Sequence, residues 1–217
     1  MKKSARLVLL FLGLGLSSLG SAGSAGSEQK SLDEKEYELV IPEQPTQVED
    51  GKVEVVEIFW YGCPHCYDFE PYLEKWLSAL PPYAEFRRLP ASFNARWLLH
   101  ARAFYAAESL HVLDKVHHPL FEALTKDQKL FDTEDDLAAF FAEHGVDEAQ
   151  FRQTFNSFAV DAKVKQSSQM VRNYGITGVP AVIVNGKYRT AASLTGGYPA
   201  LLQVVDQLIE KERVSAE

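Results

Sequence analysis

The sequence predicts an α/β fold in which a small sheet is interrupted by a block of helices, and three observations predict it. Short β-branched and aromatic runs of strand character fall at residues 53–60, 84–89 and 181–184. From about 94 to 174 apolar residues recur at helical spacing almost without a break. The last strand run meets Asn185-Gly186, a two-residue hairpin signal of the primed-turn kind, with 187–190 as the returning strand.

Taken in order, residues 1–25 read as an export signal. Lys2, Lys3 and Arg6 open it, residues 7–16 form an apolar core, and 17–24 supply small residues of cleavage-site type. That core is too short to span a bilayer, which takes roughly 20 apolar residues. Ala22 and Ala25 each qualify as the last residue removed, and no cysteine follows the core to carry a lipid. Residues 26–45 form a flexible leader, small and charged as far as 36 and then mixed, with the character of an edge segment interrupted by Pro42 and Pro45.

Residues 46–93 make the first part of the α/β domain: the strand at 53–60, a helix marked by Tyr67, Phe69, Tyr72, Leu73, Trp76, Leu77 and Leu80, and a second strand after the Pro81-Pro82 turn. Residues 94–174 form the helical insertion. Trp97, Ala101, Phe104 and Tyr105 make one apolar stripe, and Leu113, Val116, Leu120 and Leu124 another. Thr133 with Asp136 resembles a capping box ahead of Leu137, Phe140 and Phe141, Gly145 stops that helix, and Asp147 with Gln150 repeats the start signal. Residues 175–217 return to the α/β domain with the hairpin and a terminal helix carrying Leu201, Leu202, Val205, Leu208 and Ile209.

Composition narrows the function. Removing Lys2, Lys3 and Arg6 from the 22 basic residues leaves 19 against 30 acidic ones, a net charge of −11. Nucleic acid is therefore not an expected partner, since its binding needs a basic surface to displace counterions. With 46% apolar residues, 13 Phe and 9 Tyr, the chain can build a core without disulfide staples.

Cys63-Pro64-His65-Cys66 holds the only two cysteines. So small a disulfide ring restricts the unfolded chain little, which makes the bond a poor staple and a plausible reagent. The motif sits where a strand hands over to a helix. Cys63 falls at the N-cap, where unpaired backbone N–H groups point their partial positive charge, Pro64 falls at the first helical position, and His65 adds a positive charge or a donor. All of this favours the thiolate and lowers the Cys63 pKa. Cys63 is expected to be the exposed thiol and Cys66, one turn in, the shielded one. A zinc site would need more ligands, and His100, His111, His117, His118 and His144 lie in helical stretches without a second ligand cluster. No metal is expected, and His117-His118 reads as a surface pair.

The strand ending in Phe59, the CPHC motif continuing Tyr67-Asp68-Phe69-Glu70, Gly178-Val179-Pro180 about 115 residues on, and the hairpin at Asn185-Gly186-Lys187-Tyr188 resemble the thioredoxin superfamily, and within it the DsbA family of exported thiol:disulfide oxidoreductases. The resemblance runs from about Val53 to the end. It implies a thioredoxin-like fold with an inserted all-helical subdomain. It also implies a cis-proline at Pro180 lying against the active-site disulfide, backbone groups of Val179 offered to an extended substrate, and a buried acid at Glu57 that takes or relays a proton under Cys66. Pro71 matches a helix-kinking proline. Further implications are a monomeric periplasmic protein with no cofactor beyond its redox-active disulfide, reduced secreted proteins as substrates, and a membrane quinone reductase of the DsbB type that restores the disulfide. An isomerase or reductase, or a peptide-binding chaperone with an incidental CxxC, are the rival readings. Isomerases of the superfamily usually add a dimerisation domain, and reductases favour Gly-Pro between the cysteines.

Overall fold

A computed structural model describes residues 32–215; the expected export signal and the start of the leader lie outside them. The elements follow in the order β1 (Glu38–Leu39), β2 (Val53–Phe59), α1 (Pro64–Leu77), β3 (Ala84–Pro90), α2 (Ala95–Ser109), α3 (Leu113–Thr125), α4 (Glu134–Glu143) and α5 (Glu148–Phe155). Then come α6 (Phe158–Asn173), β4 (Ala181–Val184), β5 (Tyr188–Thr190), α7 (Ala192–Thr195) and α8 (Tyr198–Ser215). The strands form one sheet in the order β1-β5-β4-β2-β3. β2 lies between a parallel β3 and an antiparallel β4, and β5 pairs antiparallel with β4.

All seven residues of β2 are buried, as a central strand covered on both faces requires. Its odd positions face one way: Val53 and Val55 pack with Phe69 and Leu73 of α1 and with Leu201, Val205 and Leu208 of α8. Its even positions, Val56 and Ile58, pack with Val171 and Tyr174 at the end of α6. The five helices α2 to α6 lie in sequence between β3 and β4 and enclose a core of their own, with Phe104, Leu120, Phe121, Phe141 and Phe151 buried. That core also takes in Phe59, Tyr61, Cys63 and Cys66, so the helical block packs directly on the turn that carries the cysteines.

Local signals start these helices where the sequence puts them. Asn94 accepts from the Trp97 N–H, Thr133 and Asp136 form a reciprocal capping box, and Asp147 accepts from the Gln150 N–H. Each such cap contributes about 1 kcal/mol.

The leader is shorter than the composition suggests. Glu38–Leu39 pairs with β5, the Val40 N–H donates to the Lys187 carbonyl at 2.8 Å, and the Gln44 N–H donates to the Gly186 carbonyl at 3.0 Å. Val40 is buried. The physical reason is the sheet edge: without this segment β5 would present a row of unpaired backbone groups to solvent. Pro42 and Pro45 limit the pairing but do not release the chain.

Gly186 makes the contact possible. Its φ is +67°, and a Cβ there would run into the Gln44 carbonyl. Gly186→Ala is expected to destabilise the fold by about 1 kcal/mol or more, through strain and loss of the Gln44 contact. Denaturant unfolding should show the loss, and hydrogen exchange should show the amides of Val40 and Gln44 opening first. Unchanged stability would mean that this segment contributes nothing to the sheet.

Candidate active site

β2 ends at Phe59 and the chain turns through Trp60, Tyr61 and Gly62, with the Cys63 N–H donating to the Trp60 carbonyl at 3.0 Å. The turn is held from outside. Trp60 stacks on Trp97 of α2 with ring centres 4.2 Å apart, and its Nε1 donates to Nδ1 of the buried His100 at 3.0 Å. A side chain at Gly62 would collide with the Trp60 ring, so glycine lets the chain pass. Half-exposed Phe93 lies against Trp97 and adds apolar surface beside this turn.

Cys63 is the N-cap of α1, with extended backbone, and Pro64 fills the first helical position. Both cysteines are free thiols. The Cys66 N–H donates to Cys63 Sγ at 3.4 Å, and the Cys63 thiol lies 3.5 Å from the Val179 carbonyl as donor. Val179 thus meets Cys63 across the chain, and the half-buried Val179-Pro180 peptide bond is cis. A cleft of about 420 Å³ runs beside this loop, lined by Gly178, Val179, Pro180, Arg189 and Leu194.

The two sulfurs are driven apart. A hydrogen bond from the Cys66 thiol is the largest influence on Cys63; burial opposes it, and the backbone N–H groups of Cys66 and His65 and the His65 charge add to it, bringing Cys63 down to about 6. Burial, followed by the bond to Cys63 and the charges of Cys63 and Glu57, holds the Cys66 thiol well above its ordinary value. The second thiol, which the sequence reading did not weigh, outweighs the helix terminus and His65. Cys63 is the more accessible of the two as expected, but it is not openly exposed: it shows 8% of its surface against none for Cys66. His65 itself is exposed, with its carbonyl accepting from the Tyr198 hydroxyl at 2.9 Å.

Beneath the cysteines lies a cluster of buried charge. Glu57 is fully buried, and its Oε2 sits 3.2 Å from Arg88 Nε without forming a hydrogen bond. Desolvation is the main reason that Glu57 is raised to about 8, with the Glu70 charge adding and Arg88 opposing. Glu70 of α1 accepts from Arg88 Nη2 at 3.0 and 3.2 Å. Burial would push Glu70 up, but His117 and Arg88 together bring it below the usual carboxylate range.

Of the residues singled out from the sequence, Cys63, Cys66, Glu57 and Val179 converge, Pro180 lines the adjoining cleft, and Pro64 and His65 face outward. Arg88, Glu70, Tyr61 and His117 were missed. The surface pairing of His117 with His118 is overturned: the His118 side chain is 50% exposed, that of His117 only 12%. The signal was present in the spacing, because His117 stands four residues after Leu113 and three and four before Leu120 and Phe121, on the apolar face of α3. Among the described residues no group of three or more His, Cys, Asp or Glu side chains could hold a metal ion.

Comparison with known proteins gives consistent results. The family model described as DSBA-like thioredoxin domain matches residues 54–200. Thiol:disulfide interchange protein DsbA of Pseudomonas syringae is 44% identical over 183 residues, which cover 84% of this chain and 85% of that protein. The protein of the same name from Pseudomonas aeruginosa is 45% identical over 184 residues, 84% of this chain and 86% of the relative. The crystal structure of Pseudomonas aeruginosa DsbA superposes with a TM-score of 0.80 at 43% identity, covering 84% of this chain and 94% of that one. Oxidoreductase DsbA from Xylella fastidiosa gives 0.77 at 31% identity, over 82% and 96%.

The thiolate has a consequence for stability. Because the folded Cys63 pKa lies below the unfolded value of about 8.5, the reduced protein holds the full contribution above that value. It loses it as pH falls through the folded value of about 6. Thiolate absorbance of the reduced protein should therefore titrate with a midpoint near about 6, and its melting temperature should fall over the same interval. Cys63→Ser should abolish both effects. A midpoint at the ordinary thiol value would remove the basis for the asymmetry.

Proposed function

Because this chain belongs to the DSBA-like thioredoxin domain family and is a thiol:disulfide oxidoreductase, we propose that it works as an exported dithiol oxidase of reduced, folding proteins. The observation that carries this direction is the opposed pair of thiols: a Cys63 anion at the helix mouth beside a Cys66 held protonated. Whatever stabilises the reduced form makes the disulfide a stronger oxidant.

In the forward reaction a substrate thiolate attacks Cys63 Sγ of the Cys63–Cys66 disulfide. The bond between the two cysteines breaks, and Cys66 leaves with the electron pair. Cys66 is a poor thiolate in its buried position and needs a proton, which the protonated Glu57 carboxyl supplies. A second substrate thiolate then attacks the substrate's own sulfur in the mixed disulfide, and Cys63 departs as the stabilised thiolate. The substrate has lost two electrons and gained a disulfide; this protein has gained them as a dithiol. Its disulfide is restored by a membrane quinone reductase of the DsbB type.

Val179 and Pro180 serve the extended substrate. The Val179 carbonyl beside Cys63 supports this role, as does the cleft along the loop. Pro180 has no N–H of its own to compete for a partner. Periplasmic placement is supported by the export-type residues 1–25.

Equilibration with glutathione tests the direction. A strong oxidant should remain largely dithiol in a glutathione mixture that fully oxidises an ordinary protein dithiol. In addition, Cys66→Ser should accumulate mixed disulfides with reduced substrate protein, all of them lost when Cys63 is also replaced. A pair that is fully oxidised by the same mixture would indicate a reductase. Oxidative folding supported equally by Cys63→Ser would indicate a chaperone.

A further inference from the structure

His117 reaches the charged cluster from the helical block and has no part in the thiol chemistry described above. Its Nδ1 lies 2.7 Å from the Tyr61 hydroxyl, and its Nε2 lies 3.5 Å from Glu70 Oε2. The rings of Phe59, Phe104 and Phe121 wall it in. The titratable and charged groups that face it are Tyr61 from the turn, Glu70 from α1, Arg88 from β3 and His118 from its own helix. A cleft of about 480 Å³ opens beside them, with Glu74, Glu108 and Asp114 at its margins.

The proton on this imidazole is fixed by its surroundings. Burial holds His117 below its ordinary value and keeps the Tyr61 phenol protonated well past its own. With the Glu70 carboxylate on the Nε2 side, the tautomer that suits both neighbours carries the single ring proton on Nε2 and leaves Nδ1 to accept from the Tyr61 hydroxyl. Nε2 makes no hydrogen bond at rest and has the Glu70 carboxylate, 3.5 Å away, as its nearest charged neighbour.

Glu70 in turn competes for Arg88. One guanidinium gives Nη2 to both oxygens of Glu70 and turns Nε toward Glu57 Oε2. We propose that His117 is a positioning residue for proton transfer at Cys66: its Nε2–H steadies the Glu70 anion, so that Arg88 stays divided between Glu70 and Glu57 and Glu57 can exchange a proton with Cys66. The proposal rests on the reading of Glu57 as the proton partner of Cys66. Without His117, Glu70 leans wholly on Arg88, Glu57 loses part of its positive neighbour, and Glu57 stays protonated to higher pH.

Two amide variants separate the nitrogens. In His117→Asn the amide reaches the Nδ1 position and keeps a partner for Tyr61 but nothing for Glu70. In His117→Gln it reaches the Nε2 position and keeps the donor to Glu70. The readout is the pH profile of the rate at which Cys66 resolves the mixed disulfide between Cys63 and glutathione, with melting temperatures measured alongside. H117N should shift the Glu57-dependent inflection up by about half a pH unit or more, a change of the size one neighbouring group produces, while H117Q stays near the parent. Nitrogen NMR of the unaltered protein should show the Nε2–H tautomer at His117, which needs no variant to fold.

A Nδ1–H tautomer, coincident profiles in parent and H117N, or a shift in H117Q as large as in H117N would overturn the proposal, whatever happens to the melting temperature. Glu57→Gln separates the two levels. If the parent inflection survives that change, the Glu57 reading itself fails; if it disappears while the His117 variants stay silent, only the role of His117 fails.

Discussion

A sulfur occupies the N-cap of α1, and the rest of the site is arranged around that placement. The position ordinarily takes a side-chain oxygen that accepts from the N–H two or three residues on. Cys63 makes the same contact with the Cys66 N–H at 3.4 Å, and as a thiolate it brings a full charge to a helix end that favours one. Pro64 adds φ preorganisation without wasting a donor. The arrangement then demands a second condition, that Cys66 stay protonated three residues later. Burial meets it, and the proton on Cys66 becomes the donor that most stabilises the Cys63 anion.

The fold supplies these conditions from distant parts of the chain. β2 is buried on both faces, so the turn it delivers is rigid at its root. The helical block clamps the other side through Trp97 and His100 on Trp60, and through Phe121 against Tyr61. The loop between the block and β4 returns the Val179 carbonyl to 3.5 Å from the Cys63 sulfur. Were the helical block a separate lobe, the turn would lose its packing; instead the core inside the block is continuous with the cysteines.

Much of this was legible in the sequence, and the failures share a cause. Strand runs, the caps at Thr133 and Asp147, the hairpin at Asn185-Gly186 and the N-cap position of Cys63 are all local signals, written in neighbouring residues. The edge character of the stretch around residues 38–44 was legible but its partner was not, because Val40 and Gln44 bond to backbone groups near residue 186 and no side-chain pattern announces that pairing. Nor was the division of Arg88 between two acids, which depends on β3 lying beside β2 in a register that sets Arg88 opposite Glu57. His117 was a misreading of a different kind. Its helical spacing put it on the apolar face, but its adjacency to His118 suggested a polar pair, and the spacing was the better guide.

The two buried glutamates of β2 differ in how completely their neighbours bond them. Both are inaccessible, and both face an arginine of β3. Glu54 Oε1 accepts from Arg87 Nη1 at 2.6 Å and from the Gln47 N–H at 3.0 Å. Those two bonds tie the Glu54 side chain down. Glu57 has neither: its Arg88 is shared with Glu70, and neither of its oxygens is hydrogen-bonded. A buried carboxylate without such bonds is costly as an anion, so the neutral acid is favoured until a neighbouring charge changes. When Cys66 leaves as a thiolate, the negative charge that Glu57 avoids has already appeared on the adjacent sulfur. In the proposed relay, passing the proton from Glu57 to Cys66 moves that charge onto a carboxylate that Arg88 can partly offset. The proposed transfer needs a partner that is poorly satisfied at rest, and of the two glutamates of this strand Glu57 is the less completely bonded: both of its oxygens lack a hydrogen bond, against one of Glu54.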